Sequence, residues 1–447
     1  MDLLNPLDAA FLALESREHP MHVGALQLFD LDTAHGPSSV AELCDNIMSV
    51  TDVQPRFRRY PSRVLGGFSS LSWTHCEHVD LDYHVSRYAV PNPGGMHQLR
   101  DIVSGLHSAL LDRHRPLWQS YLIEGLSDGR LAVYTKTHHA LMDGVSAIRL
   151  MQRTLDVDPD PTRLGVMWGE TRPRSISSAR GRRQPRGLPT AVSLATGALA
   201  AGRALISRNL PAPLSAPLTM FNVPIGGARR IAVRSWPLAR IHAIRQTTGT
   251  TVNDVVLAMC SAALRSYLLE HEALPEAPLI AMVPVSLRSE ADADADGNGV
   301  GAALCNLATD VADPADRLAR IADSMHHSKK LLCQLPEFAA LALSALLMAP
   351  IGVSMLRGFP PLPRAPFNIA ISNVPGPRTP VHLGGARLDA VYPLSFPFEG
   401  QALNITLTSN ADNLDFGLVA CRRAVPHLDR LVTHLDDGLA ELEKATT

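Results

Sequence analysis

The stretch from Leu131 to Leu155 places a strand-like pattern directly before a helix-like one, which strongly limits the folds open to this chain. Apolar and polar residues alternate over Leu131–Thr137, as in a half-buried strand. After Gly144, apolar residues recur every three or four positions, as on one face of a helix: Val145, Ile148, Met151 and Leu155. The pattern predicts a mixed α/β fold, with Gly144 in a positive-φ turn where the strand passes into the helix.

The junction itself, His138–Gly144, carries two adjacent imidazoles and the carboxylate of Asp143. A neutral imidazole there is suited to act as a general base on a hydroxyl, amine or thiol. A metal site is disfavoured, because adjacent residues of a strand point to opposite faces and no Cys or Glu follows at a ligand spacing. The third interpretation is a set of structural polar residues at a strand end, and the segment alone leaves it open.

Length and composition narrow the class of protein. The 447 residues are enough for two or three domains, and the formal net charge of −2 gives no field that would attract nucleic acid. The six cysteines form no Cys-x-x-Cys pair and are expected to be reduced thiols. No basic and apolar leader opens the sequence, so we expect a cytoplasmic protein or one on a membrane facing the cytoplasm.

Two segments bear on contact with lipid. Phe338–Leu356 is 19 residues without a charge, but Pro350 and Gly352 favour a buried or interfacial helix pair broken near Pro350 over a membrane span. An apolar surface there would suit a lipid interface. Thr171–Arg186 carries six arginines and no acidic residue, which is typical of a solvated linker and is compatible with a basic strap for anionic lipid.

The second half of the chain continues the mixed pattern. A helix is predicted for Val252–Glu270, with Thr251 as N-cap and Asp254 in the first turn. Strands are predicted at three apolar runs: Leu279–Val285, Phe367–Ser372 and Asn404–Ser409. Neither a dinucleotide-binding glycine pattern nor a phosphate-binding loop is present. The acidic run that begins at Asp292 resembles a calcium loop, but its twelfth position is Ala303, so it is expected to be a solvated loop.

Several short motifs occur in a characteristic order: Pro6–Phe11, Pro20–Gly24, Pro116–Trp118, the HHxxxDG motif at His138–Gly144, Asn253–Ala258, Pro284–Arg288 and Ser372–Pro377. Taken together, and over nearly the whole chain, they resemble the bacterial wax ester synthase and acyl-CoA:diacylglycerol acyltransferase family, especially its triacylglycerol synthase branch. The resemblance implies a two-domain CoA-dependent acyltransferase fold, like that of chloramphenicol acetyltransferase and of peptide synthetase condensation domains. Both domains are then α/β, with an active-site tunnel at their interface. The boundaries expected are 1–160 and 231–447, joined by a crossover segment at 161–230.

The chemistry that the resemblance implies is direct acyl transfer from long-chain acyl-CoA to the hydroxyl of diacylglycerol, without a covalent intermediate. His139 is the general base, and His138 packs beside it. Acyl-CoA is a co-substrate, and no permanently bound cofactor is expected. Alternative activities are wax ester synthesis on a fatty alcohol, transfer from a carrier-protein thioester, and lipid binding without catalysis. Peripheral attachment to the inner membrane face or to lipid bodies is also expected.

Other site residues follow from the same resemblance. Asp143 is expected to point away from the reaction centre and to pair with an arginine, with Arg288 as the candidate, so that breaking the pair would cost about 3 to 5 kcal/mol. The Gly144 N–H and Asn253 are candidate oxyanion donors. Further interface residues are Asp254, Ser372 and Asn373. Three residues form a structural block under the site: Pro116, Leu117 and Trp118.

Overall fold

The computed structural model describes residues 2–31, 37–63, 71–170, 214–286, 300–355 and 364–446. Within these residues, two six-stranded sheets carry most of the architecture, and a three-stranded sheet, β1-β4-β3, lies beside the first. The small sheet is formed by β1 (Asp2–Leu3), β3 (Arg59–Arg63) and β4 (Leu71–His75).

The first large sheet has the strand order β12-β13-β2-β7-β6-β5. Its strands are β2 (His22–Asp30), β5 (Val85–Ala89), β6 (Trp118–Glu124), β7 (Leu131–His138), β12 (His382–Leu383) and β13 (Ala386–Leu394). All neighbouring strands are antiparallel except β5 and β6. In the register of the two central strands, His22 lies opposite His138.

The second large sheet has the order β10-β9-β11-β14-β15-β8. Its strands are β8 (Arg229–Pro237), β9 (Ile280–Ser286), β10 (Val300–Asn306), β11 (Ile369–Val374), β14 (Leu403–Asn410) and β15 (Asn413–Cys421). Strand β11 runs parallel to both of its neighbours, β9 and β14. The three strands predicted in this half are therefore confirmed, with ends shifted by one or two residues.

Helices pack around both sheets. They are α1 (Pro6–Leu14), α2 (Val40–Met48), α3 (Leu81–His84), α4 (Met96–Ser108), α5 (Gly144–Thr154), α6 (Leu238–Thr248), α7 (Val252–Glu270), α8 (Pro314–Gln334), α9 (Glu337–Ser354) and α10 (Leu428–Thr446). The predicted helix Val252–Glu270 is confirmed: Thr251 and Asp254 form a reciprocal capping box at its start. Among the described residues, this helix alone is long and apolar enough by length and composition to span a bilayer. Most of it is buried in the hydrophobic core around the second large sheet.

The predicted break near Pro350 is wrong, because α9 runs as one helix from Glu337 to Ser354 with Pro350 inside it. Proline removes one main-chain hydrogen bond of a helix. Burial of Leu343 and Ile351 against the second half of the molecule holds the helix together on both sides of that position. Ala303 is buried in β10, whereas the acidic run before it and the arginine-rich Thr171–Arg186 lie outside the described residues.

The expected boundaries of 1–160 and 231–447 stay a prediction, and one strand pairing runs across them. Strand β13 belongs by sequence to the C-terminal part, yet it pairs with β2 and extends the first sheet, with Leu394 opposite Gly24. Met167 and Trp168 are buried in the core beside the first large sheet. The structural unit built on that sheet, here called the first unit, therefore continues beyond residue 160. The second sheet begins with β8 at Arg229. The two units are thus joined by an exchanged strand rather than by a linker alone.

Candidate active site

The histidine motif lies where the central strand β7 ends. The His138 N–H donates to the Leu117 carbonyl at 3.0 Å, and the His139 N–H donates to the Met21 carbonyl at 2.8 Å. The Ala140 N–H donates to Nδ1 of His138 at 3.0 Å, which closes a tight turn. Main-chain hydrogen bonds to the residues just before both neighbouring strands therefore fix the position of the two histidines.

The His139 ring is held between two aromatic side chains. Its centroid is 4.2 Å from that of Phe11 on α1 and 5.7 Å from that of Phe396, which follows β13. Burial lowers the pKa of His139 to about 4, while the nearby Asp143 carboxylate opposes that shift. The imidazole is consequently neutral at pH 7 and can accept a proton.

A cavity of about 320 Å³ opens onto His139 between the two large sheets. The first sheet lines it with residues of one face of β2 and β7, including Ala25, Thr135 and Thr137. The second sheet contributes alternate residues of β9, β11 and β14, which are Met282, Pro284, Ala370, Ser372, Val374, Asn404 and Thr406. Most lining side chains are apolar, so the cavity suits a hydrocarbon chain beside a polar reacting group.

The start of α5 faces this cavity. Gly144 is the first residue of the helix, and Asp143 is its N-cap, with Oδ1 accepting a hydrogen bond from the Ser146 N–H at 2.6 Å. Asp143, Gly144 and Val145 all line the cavity. The first N–H groups of a helix have no intrahelical acceptor and carry its positive dipole end. This end of α5 can therefore stabilise negative charge that develops beside His139.

The predicted positive φ of Gly144 is wrong, since that residue is absent from the positive-φ positions and has taken a helical position instead. A Cβ built on Gly144 would meet no atom within 4 Å. What the missing side chain provides is therefore open space at the cavity wall rather than an unusual backbone conformation.

Asp143 is among the residues that line the cavity with His139. Its carboxylate accepts the capping hydrogen bond from the Ser146 N–H, because an N-cap side chain turns toward the first turn of its helix. The expectation that it points away from the reaction centre stays a prediction. The proposed partner Arg288 lies outside the described residues, so that ion pair stays a prediction.

His138 faces a different environment. Its Nε2 lies 3.3 Å from Oε1 of Glu15, off the direction of a good hydrogen bond, and both side chains are almost fully buried. Glu15 also accepts hydrogen bonds from the Met21 N–H at 3.1 Å and from Arg113 at 2.8 and 3.0 Å. Burial opposes ionisation of Glu15, but these contacts hold its pKa below the ordinary value. Glu15 thus ties the loop after α1 to the histidine turn.

A second buried polar layer lies behind β2 and β7. Lys136 donates to the carbonyls of Leu106 and Ala109 at 2.9 and 2.8 Å, and burial lowers its pKa to about 8. His107 contacts the Tyr134 hydroxyl at 2.7 Å, and burial lowers the His107 pKa to about 3. Gly24 is required here, because a Cβ at that position would lie 2.7 Å from Cε2 of Tyr134.

The N-terminal helix brings another carboxyl group close to the site. Burial and the neighbouring Asp143 charge raise the pKa of Asp8 to about 6. Asn5 caps α1 by accepting from the Asp8 N–H at 2.8 Å and donating to the Asp8 carboxylate at 2.7 Å. Helix α1 therefore covers the reaction centre, with Asp8 near Asp143 and Phe11 against His139.

The block Pro116–Trp118 lies next to the histidine turn. Trp118 is fully buried, donates from Nε1 to the Phe57 carbonyl at 2.9 Å and stacks on His84 at 4.5 Å. Leu117 packs against Ala140 and supplies the carbonyl that holds His138. These contacts support the floor of the histidine turn.

The predicted residues of the second half are only partly brought together. Ser372 lines the cavity, whereas Asn373, Asn253 and Asp254 do not. The Asp254 carboxylate is engaged in the α7 capping box, and the Asn253 amide nitrogen is buried without a hydrogen-bond partner. Gly144 is therefore better placed than Asn253 as an oxyanion donor. The end of the Ser372–Pro377 motif contacts α5, since Gln152 donates to the Pro375 carbonyl at 3.3 Å.

Sequence reasoning missed three residues that shape the site: Phe11, Glu15 and Phe396. Phe11 is the last residue of the Pro6–Phe11 motif, to which the sequence assigned no function. The motif was therefore a signal that α1 matters for the site. Glu15 and Phe396 stand in no such motif, and their contacts join positions more than 100 residues apart in the sequence. Such contacts leave no local periodicity.

Comparison with known proteins gives a consistent result. Residues 4–256 match the family described as the wax ester synthase/diacylglycerol acyltransferase catalytic domain, and residues 296–443 match its C-terminal domain. A probable diacylglycerol O-acyltransferase of Mycobacterium tuberculosis, tgs2, is 52% identical over 100% of this chain and 99% of its own length.

Solved structures agree with the sequence comparison. The wax ester synthase/diacylglycerol acyltransferase of Marinobacter aquaeolei superposes with a TM-score of 0.81 at 40% identity, covering 100% of both chains. The first condensation domain of the CDA synthetase superposes with a TM-score of 0.55 at 14% identity, over 99% of this chain and 95% of that one. At that identity the second match supports the fold alone, and it agrees with the two-unit acyltransferase fold that was expected.

Proposed function

Because the chain belongs to the wax ester synthase/diacylglycerol acyltransferase family, we propose that it transfers a long-chain acyl group from coenzyme A to diacylglycerol, forming triacylglycerol. The names of relatives that are about half identical over their full length support this acceptor. The observation that carries the proposal is the neutral imidazole of His139 on the wall of an apolar cavity between the two sheets. An alcohol and a thioester can meet there away from bulk water.

The reaction needs one proton acceptor and one proton donor in sequence. His139 removes the proton of the acceptor hydroxyl as its oxygen attacks the thioester carbonyl. The tetrahedral intermediate then collapses with cleavage of the carbon–sulfur bond, and the imidazolium returns the proton to the departing thiolate. Atoms and charge balance without a covalent acyl-enzyme or a redox partner.

The surroundings of His139 suit this exchange. A hydrogen bond between the ring and its own main chain favours the charged form. Since Nδ1 is the ring nitrogen nearer to the main chain, we infer that Nε2 is the atom that accepts the proton. The Asp143 carboxylate stabilises the imidazolium, which offsets part of the burial cost that keeps the resting imidazole neutral. The imidazole of His139 is therefore uncharged at rest, and its protonated form is stabilised by Asp143.

The oxyanion of the tetrahedral intermediate would be stabilised by the start of α5. Gly144 and Val145 line the cavity and belong to the first turn of the helix, where main-chain N–H groups are not used by the helix itself. Donors of this kind typically lower a barrier by about 3 to 4 kcal/mol. The open space at Gly144 lets a carbonyl oxygen approach the main chain.

Attachment to a lipid surface is part of the proposal, because both the acyl chain and the acceptor are water-insoluble. Helix α9 carries exposed apolar residues, with Leu346 57% and Val353 41% exposed. The same helix reaches the cavity wall through Leu341. A face of α9 on the lipid interface would therefore place the cavity beside the source of diacylglycerol. Co-flotation with vesicles should be lost when Leu346 and Val353 are changed to Ser and retained by the unmodified protein.

The decisive experiment supplies purified protein with radiolabelled palmitoyl-CoA and, in separate reactions, dioleoylglycerol or hexadecanol, and then resolves the lipid products. We expect labelled triacylglycerol, with a rate reduced at least a hundredfold in His139→Ala. His326→Ala, which removes an exposed histidine on α8, is the matched control and should retain full activity.

The alternatives give different products. Predominant wax ester would move the acceptor to a fatty alcohol, and activity only with a carrier-protein thioester would replace coenzyme A. Unchanged activity of His139→Ala would refute the proposed base. Absence of any ester with folded protein would leave a lipid-binding role instead.

A further inference from the structure

A second cavity lies away from the reaction centre and shares no lining residue with it. It has a volume of about 390 Å³ and is formed where α4 of the first unit meets β8 and the end of β15 of the second. Four arginines line it and define what we call the arginine pocket: Arg100, Arg229, Arg230 and Arg422. Its polar neighbours include two carboxylates, Asp101 and Asp429.

One of these carboxylates is already paired with an arginine of the pocket. Asp429 forms an ion pair with Arg100, and Asp101 lies 3.4 Å from the imidazole of His97. Among the described residues, no carboxylate lies within ion-pair distance of the other three arginines. Four guanidinium groups against two carboxylates leave the lining of the arginine pocket with a net charge of about +2 when His97 is neutral.

Arg229 is the most informative of the three, because only 3% of its surface is exposed. Its guanidinium donates to two main-chain carbonyls, those of Gly226 and, at 2.7 Å, Glu18. Its Nε has no hydrogen-bond partner, and neither does Nε of Arg100. A buried guanidinium with an unused donor and no counter-charge is costly unless an anion completes the site. Burial also lowers the pKa of Arg229, to about 10.

The surrounding structure holds the pocket open rather than filling it. Ser104 and Ser108 of α4 accept hydrogen bonds from the Ile231 and Arg229 N–H groups at 3.1 and 2.8 Å, which fixes the helix against β8. Arg230 lies near the start of β8, and Arg422 directly follows the end of the neighbouring strand β15. Arg229 is buried, Arg230 is partly exposed and Arg422 is exposed. The site thus has a rigid base and a basic rim.

We propose that the arginine pocket binds a phosphate-bearing organic molecule of about nucleotide size. Guanidinium groups match phosphate oxygens in charge and in the geometry of their paired donors. The volume lies within the range of small-ligand pockets and is more than inorganic phosphate alone would fill. Such a ligand has two sources, the nucleotide end of coenzyme A or a glycerophosphate related to membrane lipids. The proposal does not depend on the acyl acceptor.

The test is calorimetric titration of the full-length protein with adenosine 3′,5′-bisphosphate, glycerol 3-phosphate and inorganic phosphate, with adenosine as the phosphate-free control. We expect at least one organic phosphate to bind at least tenfold more tightly than adenosine. Arg422→Ala should weaken that binding about tenfold, the loss expected for one charge-assisted contact. Arg230→Gln, also near the rim, should have a similar effect.

Arg245→Ala is the matched control, because it removes an exposed arginine of α6 that does not line the pocket. No binding by any phosphate, equal binding of adenosine, or equal weakening in Arg245→Ala and Arg422→Ala would overturn the proposal. Displacement of the bound bisphosphate by palmitoyl-CoA would identify the co-substrate as the source. Binding that palmitoyl-CoA leaves unchanged would identify an independent ligand of the same site.

Discussion

Substitution of Asp143 separates two roles that one carboxylate plays at the start of α5. Its Oδ1 caps the helix through the Ser146 N–H, and its charge acts on His139. Asparagine keeps the capping oxygen and removes the charge, whereas alanine removes both. The pair Asp143→Asn and Asp143→Ala therefore isolates the capping contribution from the electrostatic one.

The expected magnitudes follow from these contacts. Loss of a negative charge at a helix N-terminus costs about 0.3 to 1 kcal/mol of unfolding free energy, and relief of repulsion with Asp8 offsets part of it. Loss of the cap costs about 1 kcal/mol more. We therefore expect about 0.5 kcal/mol for Asp143→Asn and about 1.5 kcal/mol for Asp143→Ala. Both variants should lose activity to a similar degree, since neither stabilises the His139 imidazolium.

Urea unfolding at pH 7 gives the stability values, and initial rates with labelled palmitoyl-CoA give the activities. A loss of about 3 kcal/mol or more in Asp143→Asn would refute the capping account, because that is the cost of breaking a buried ion pair. It would support the arginine partner expected from the sequence. Full activity of Asp143→Asn would refute the electrostatic role.

Four further outcomes test other parts of the structure. The variant Asp8→Asn removes the nearby carboxyl group whose pKa is about 6. In this variant kcat/KM should stay level from about pH 5.5 to 8, because His139, with a pKa of about 4, remains neutral throughout. An inflection near pH 6.5 would contradict this. Gly144→Ala should raise the unfolding free energy by roughly 0.5 kcal/mol and yet lower kcat/KM, since its methyl group enters open space at the reaction centre; unchanged kcat/KM would place the substrate elsewhere. Gly24→Ala should cost about 1 to 3 kcal/mol in urea unfolding because of the clash with Tyr134, and a neutral effect would show that the ring can move. Burial raises the pKa of Asp415 in the folded protein to about 7. Asp415 therefore stabilises the folded protein at low pH, and this contribution is lost as the pH rises from about 4 through 7. The loss should be absent in Asp415→Asn, and parallel profiles of unfolding free energy against pH for the two proteins would be inconsistent with the raised pKa.

Local signals in the sequence predicted much of the fold. The helix at Val252–Glu270 was placed correctly because its start is encoded within four residues, by the Thr251 and Asp254 capping box. The alternation over Leu131–Thr137 placed the strand that carries the histidine motif correctly, but this strand is buried on both faces rather than half-buried, because one face lines the cavity and the other packs into the core. Each of these features depends on neighbours in the sequence.

Non-local pairing was not predictable in the same way. Nothing in Ala386–Leu394 indicates that it joins the sheet of residues 22–30, because strand pairing is decided by contacts some 360 positions away. The predicted positive φ of Gly144 was wrong because a glycine can indicate either an unusual φ or a need for open space. Only the surroundings of the residue distinguish these two causes. Glu15 was missed because its partners, His138 and Arg113, come from other elements.

The properties of His139 arise from the assembly of these distant parts. Burial is the largest influence on its pKa, and the two rings beside it come from α1 and from the segment after the exchanged strand β13. The cavity that receives the acyl chain has walls from both sheets. The first unit alone thus carries the motif without the environment that keeps its imidazole neutral and screened from water. Strand exchange is the feature that fixes Phe396 to the first sheet, so the fold and the reactivity of the base are coupled through β13.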